Sequence, residues 1–407
     1  MLKFFASIRS GCSAAAAAML VLGGVPASAS DHLDSPTVIA DPRADIGDLF
    51  AWISADGRKL NLVMAIVGHS FSDKLAYVFH IDSGTRFGCT TASIDIVCRF
   101  ASATSADCRL GRTDRAQGDP SRPEGVSSLG QHFRLFAGLR DDPFFNNVRG
   151  SRDAYDVATR ALSAGARYDA AGCPSFSAVA SNEILDRWKH TDGQPATNFL
   201  RGWTPASIVV SVDIASVSKG GPLLAVWGAT VGPKGQIDRA ARPLTGNALL
   251  LTLGDEGQRN AMKERYNSST PAKSSAFTAA IATGVALYDG FDGRCGDSLL
   301  IDRNSPSEQR YWPLAAMLAD DRLWVNSKSS TCRELFAVER AALNGETALA
   351  GDCGGRTINY DAVNVYRSLL ANGTTSGIDD GVHADEKIQS TVDFPFLAAP
   401  DPVPYKQ

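Results

Sequence analysis

The chain has 407 residues, 40 of them basic and 44 acidic, and a formal charge of −4. No basic run interrupts this mildly acidic background, so the electrostatic footprint of nucleic-acid binding is missing. No apolar stretch after the N-terminus approaches the roughly 20 residues that a membrane-spanning helix needs.

The N-terminus reads as a secretory signal. Lys3 and Arg9 give a positive start, an apolar run extends from Ala14 to Val25, and Ala27-Ser28-Ala29 offers small residues to a peptidase. The run is short, and Gly23, Gly24 and Pro26 interrupt its end, which disfavours an uncleaved anchor. Cleavage after Ala29 removes 29 of the 407 residues and leaves about 378, beginning Ser30-Asp31-His32. Without Lys3 and Arg9 the basic count falls to 38 against 44 acidic residues. The expectation is a single large domain over residues 30–407, with a subdivision near residue 255 as the alternative. It should be periplasmic or secreted.

The elements follow in chain order. A Pro- and Asp-rich lead-in (Asp31 to Asp45) precedes short β-prone runs at Asp48 to Ile53, Lys59 to Val67 and Lys74 to Asp82, with the turn Ala55-Asp56-Gly57 after the first. They predict an antiparallel meander. Thr104 to Ser128, rich in Ser, Asp, Gly, Arg and Pro, reads as a surface excursion. Ser207 to Ile214, Leu223 to Val231 and Ala248 to Leu253 predict further strands. Helices are expected at Gly254 to Tyr266, Ser275 to Tyr288 and Ala316 to Leu323. The clearest is Asn359 to Leu370, where Ala362, Val365, Tyr366 and Leu369 recur at helical spacing before Gly373. The fold class is mainly β (α+β): an antiparallel β-sandwich or open barrel with peripheral helices, chiefly in the second half.

Seven cysteines lie beyond the signal: Cys89, Cys98, Cys108, Cys173, Cys295, Cys332 and Cys353. In an oxidising compartment they predict disulfides, and the odd count leaves one thiol over in a monomer. No CxxC pair supports a zinc site. Cys332 with Cys353 is the first expected pair, and Cys89 with Cys98 or Cys108 the second.

Three acidic groups could carry chemistry. His32, Asp34, Asp41, Asp45 and Asp48 in the lead-in offer ligands to calcium or, through the imidazole, to a transition metal; ordinary turn chemistry is the alternative. In Arg140-Asp141-Asp142-Pro143, the proline forces extended backbone on Asp142, so the two carboxylates should point apart, which argues against a two-carboxylate glycosidase. Asp379-Asp380-Gly381-Val382-His383-Ala384-Asp385-Glu386 has a cation-loop composition but not the EF-hand spacing. His80 and Asp82 share one strand face, as a metal pair or an oriented imidazole would. The chain has no GxSxG, HExxH, Walker loop, GxGxxG after a strand, or CxxCH.

Several ordered blocks resemble a bacterial family, the domain-of-unknown-function family 4331. They are Asp31-His32-Leu33-Asp34-Ser35-Pro36, Ala44 through Trp52, His80-Ile81-Asp82 and Arg140 through Phe145. Further on come Ile237 through Pro243, Gly354 through Ala362 and Asp393 through Leu397. The likeness covers nearly the whole mature chain and departs at Gly88 to Leu110 and Trp324 to Glu339. It implies export and domain extent, not an activity. The opening strands also look like those of sandwich domains that bind sugars or haem, which is analogy of fold alone.

The leading expectation is an exported protein whose loops bind a small molecule or metal. A metal-dependent hydrolase or oxidoreductase would instead need His32, His80 and one of Asp141 or Asp142 to converge. A cell-surface interaction protein would show a large apolar patch and no deep pocket.

Overall fold

The computed structural model describes residues 34–301 and 309–401. Its strands are β1 (Ile46–Ile53), β2 (Lys59–Ile66), β3 (Ala76–Gly84), β4 (Ala92–Ser102), β5 (Ser105–Leu110), β6 (Asp114–Gly118), β7 (Val126–Ser127) and β8 (Phe133–Leu139). Two short hairpins follow, β9 (Arg167–Tyr168) with β10 (Pro174–Ser175) and β11 (His190–Thr191) with β12 (Gln194–Pro195). Then come β13 (Ala206–Asp213), β14 (Leu223–Gly232), β15 (Gly235–Ala240) and β16 (Leu323–Asn326). One antiparallel sheet runs β1-β2-β13-β8-β7; the other runs β15-β14-β3-β4-β5-β6, with β16 also pairing to β14. Each sheet ends in edge strands, so the fold is an open sandwich and not a barrel.

Alternation assigns the faces. Leu49, Ala51 and Ile53 of β1 and Leu62 and Met64 of β2 turn inward to meet Phe79 and Ile81 of β3. On the outer face of the first sheet, Phe50, Trp52, Val63, Phe136 and Val209 are also buried, under Ile358, Phe396 and Leu397. That sheet is covered on both faces, and its strands accordingly read as apolar runs instead of a clean alternation.

The helices are α1 (Pro36–Ala40), α2 (Val148–Ser163), α3 (Ala178–Trp188), α4 (Ile214–Val217), α5 (Thr245–Leu249), α6 (Glu256–Asn267), α7 (Thr278–Asp289), α8 (Trp312–Ala319), α9 (Ala337–Leu343) and α10 (Ala362–Asn372). They enclose a second core in which Ala158, Trp188, Ile281, Leu318, Tyr366 and Leu369 meet. α2 begins where Asn147 accepts a hydrogen bond from the Gly150 amide. Gly150 allows close packing there: a Cβ would stand 2.6 Å from the carbonyl oxygens of Trp188 and His190. α10 starts on Asp361, which caps the Asn364 amide, and stops at Gly373, whose φ is 71°.

Four expectations need correction. Thr104 to Ser128 is not an excursion: β5 and β6 lie within it, with Ala106, Cys108, Leu110 and Ala116 facing the core while Asp107, Arg109 and Arg115 pair on the other face. Ala248 to Leu253 is not a strand; α5 ends in it, packed against α7. α2 and α3 are helices in the first half, unforeseen because the face that α2 buries is built from small residues (Gly150, Ser151, Ala154, Ala158), with Val157 the one large apolar residue among them. Cys98 pairs with Cys108, not with Cys89. The two face each other across β4 and β5 with Cα atoms 4.1 Å apart, whereas Cys89 lies exposed before β4. Cys332–Cys353 forms as expected, and Cys173–Cys295 closes a loop of 122 residues.

Three disulfides suit folding in an oxidising compartment. No helix among the described residues is long and apolar enough to cross a membrane.

Two tests follow from this architecture. Denatured without reductant, the chain from Ser30 onward should yield one reactive thiol, at Cys89; three or more would contradict the pairing. The buried ion pair of Asp48 and Arg356 (2.7 Å) should be costly to break on one side only. Asp48→Asn or Arg356→Met should each lose about 3–5 kcal/mol in denaturant unfolding, and joint replacement by Leu and Met should recover much of it.

Candidate functional site

Most of the acidic residues singled out in the sequence are engaged by the protein itself. Asp48 pairs with Arg356, whose guanidinium lies 4.1 Å from the centre of the Phe50 ring. Asp82 pairs with Arg322 at 3.0 Å. Asp142 accepts from the Phe144 amide at 3.2 Å. Asp380 accepts from the amides of Asn147 and Val382. Asp34 and Asp45 are buried side by side and hydrogen-bonded to each other. Burial, followed by the nearby Asp34 and Asp238 charges, holds the Asp45 carboxyl well above the usual carboxylate range. His32 lies outside the described residues.

His80 occupies the outer face of the second sheet. Its Nδ1 is 2.7 Å from Asp95 Oδ1 and its ring stacks on Trp227, with centroids 3.8 Å apart. This row across β14, β3 and β4 orients the imidazole. Asp141, after β8 of the other sheet, contacts the C-terminal strap through Gln389 and Lys387. Among the described residues His80 and Asp141 do not join in a common ligand cluster.

Two clusters do have metal-like spacing. Cys173, Asp289 and Cys295 form one, but the two sulfurs are bonded to each other, and Asp289 accepts from the amides of Gly296 and Ser298 and from the Tyr311 hydroxyl. The other joins Asp141, Glu386 and Asp401. A cation already stands there, because Lys387 Nζ lies 2.9 Å from Asp141 and 2.8 Å from Asp401. Beside it, burial and then the adjacent Glu386 and Asp141 push Asp385 up to about 9. Asp385 and Glu386 therefore share a proton at neutral pH.

A third grouping emerged only from the fold. A recess of about 230 Å³ opens between the lead-in and α2, α5, α6 and α10. Arg152, Arg259, Lys263 and Arg367 line it, against one carboxylate, Asp34. Tyr155 and Asn146 add polar groups to its wall. Arg259 Nε and Arg367 Nε are buried there without a hydrogen-bond partner. Arg367 otherwise reaches Asp380 at 3.8 Å, while Lys263 Nζ donates to the Asp34 carbonyl at 3.3 Å. Burial lowers the Lys263 ammonium from its usual range. The only cue in sequence is the four-residue interval between Arg259 and Lys263, which puts both on one face of α6.

Compared with models of protein families, with curated proteins and with solved structures, the chain finds no match.

The shared proton makes a pH test. Asp385 has its folded pKa raised above the unfolded value near 3.9, so its contribution to stability is complete below that value and is lost as the pH rises through about 9. Asp385→Asn should flatten the fall in melting temperature between pH 6 and pH 10. Parallel profiles for variant and parent would show that Asp385 ionises normally.

Proposed function

We propose that this chain is an exported small-ligand-binding protein, related to the family-4331 proteins, that holds its ligand in the recess between the lead-in and the helices. One observation carries the reading: the recess gathers four cationic side chains against one carboxylate and buries two guanidinium nitrogens without partners. Unpaired buried polar groups are costly, and a protein that keeps several around one concavity has a use for them when a ligand arrives. Three disulfides and the signal-like N-terminus support export.

A metal-binding version has less support. The Asp141, Glu386 and Asp401 carboxylates have Lys387 as their counter-charge, and Asp34 and Asp45 are bonded to each other.

Expressed with its own leader in a Gram-negative host, the protein recovered from the periplasm should begin at Ser30. An uncleaved cytoplasmic chain would remove the export reading. A thermal-shift screen of small metabolites should find ligands that raise the melting temperature of the parent but not of Thr252→Phe, which narrows the recess. Equal shifts in both proteins would place the ligand elsewhere.

A further inference from the structure

We infer that the ligand of this recess is a small oxyanion, a carboxylate or phosphate, clamped between Arg152 of α2, Arg259 and Lys263 of α6, and Arg367 of α10. The inference rests on the recess being the ligand site and adds the ligand's chemical class.

The charge balance of the wall favours an anion. Arg152 and Arg259 form no ion pair with a carboxylate among the described residues, and the one carboxylate on the wall, Asp34, is hydrogen-bonded to Asp45. Like charges one helical turn apart, as Arg259 and Lys263 are, repel each other, and burial strengthens the repulsion. An anion between them adds an attraction to each cation and so offsets this repulsion.

The placement of the donors favours an oxyanion. Arg367 is only 3 % exposed, and its Nε lacks a partner. Arg259 Nε, also buried, comes from another helix. Guanidinium groups arriving from different helices suit the several acceptor oxygens of a carboxylate or phosphate, which bind guanidinium in paired hydrogen bonds. Val148, Ser151 and Arg152, in the first turns of the 16-residue helix α2, line the same wall, so the positive end of that helix adds to the field.

The size of the recess favours a small ligand. The volume of about 230 Å³ exceeds the roughly 150 Å³ that accepts benzene, and it suits inorganic phosphate or a short dicarboxylate better than an oligomer.

Calorimetric titration of the full mature protein with inorganic phosphate and, separately, with succinate tests the class. One of them should bind at a single site, more weakly as salt is raised. Arg259→Gln and Lys263→Gln should each weaken that binding about ten- to a hundredfold, the range expected for losing one charge-assisted hydrogen bond. Arg122→Gln, an exposed arginine outside the recess, should leave it unchanged. Phosphate without succinate, or the reverse, identifies the source of the oxyanion. If neither anion binds while an uncharged probe such as glucose binds the parent and not Thr252→Phe, the oxyanion class is wrong and the small-ligand reading survives. Binding that the α6 variants leave unaltered also overturns the clamp. No binding by any of the three probes overturns both.

Discussion

The pair formed by Asp48 and Arg356 sits where the layers of this protein meet. Asp48 belongs to β1, in the sheet that is buried on both faces, and its carboxylate is fully enclosed. Arg356 reaches it from a segment whose backbone exchanges two hydrogen bonds with Ala51, at 3.0 and 2.8 Å. Two residues earlier, Gly354 bridges to Val325 of β16, so the same few residues touch an edge of each sheet. The guanidinium also stands 5.4 Å from the ring of Phe144, in the helical core. Gly355 permits the approach, since a Cβ there would lie 2.3 Å from the Ala51 carbonyl oxygen. A hydrophobic pair of similar volume could give comparable stability, so the ions matter chiefly for register: only one alignment of segment and strand leaves neither charge alone in the interior.

The same logic recurs along the junction of sandwich and helices. Arg242 meets Glu339 at 2.9 Å with both side chains enclosed, and it adds the carbonyls of Met317 and Asp320. Arg239 lies 3.9 Å from the centre of the Tyr266 ring, and Tyr266 in turn donates to Asp321. Apolar contact alone would let the helices slide over the sheet, whereas each of these groups has a partner at one position only. The recess lies among the helices and the lead-in, and it gathers several cations into one concavity.

How much of this was legible depends on whether the signal was local. β1, β2 and β3 announced themselves because each is a short β-prone run ended by turn residues, and α10 because its apolar stripe, cap and stop agree. Asp48 and the Gly354-Gly355-Arg356 block were both visible as motifs, but nothing local says that one neutralises the other 308 positions away. β5 and β6 were hidden because, Leu110 apart, their core face uses Ala and Cys in place of large residues, and α2 because close packing on α3 requires small ones. The recess was the least legible feature, since Arg152, Arg259 and Arg367 come from three helices and become neighbours only when those helices pack.

The two charged clusters also show why composition misleads about ligands. The acidic C-terminal loop looks like a cation site in sequence, but the chain supplies its own cation: Lys387 follows Glu386 directly and reaches Asp141 and Asp401 together. A metal would have to displace an ammonium already within hydrogen-bond distance of two carboxylates, and it would gain only the difference between the two attractions. In the recess the imbalance runs the other way. Its cations come from three helices, burial raises the carboxyl of Asp45 behind Asp34 above its usual range, and Arg152 and Arg259 form no ion pair with a carboxylate among the described residues. For the buried Arg367, and in part for the half-buried Arg259 and Lys263, desolvation has already been suffered in the folded chain, and an incoming anion recovers interaction energy there. That asymmetry, more than the number of charges, separates a site built to hold the fold from one built to receive a ligand.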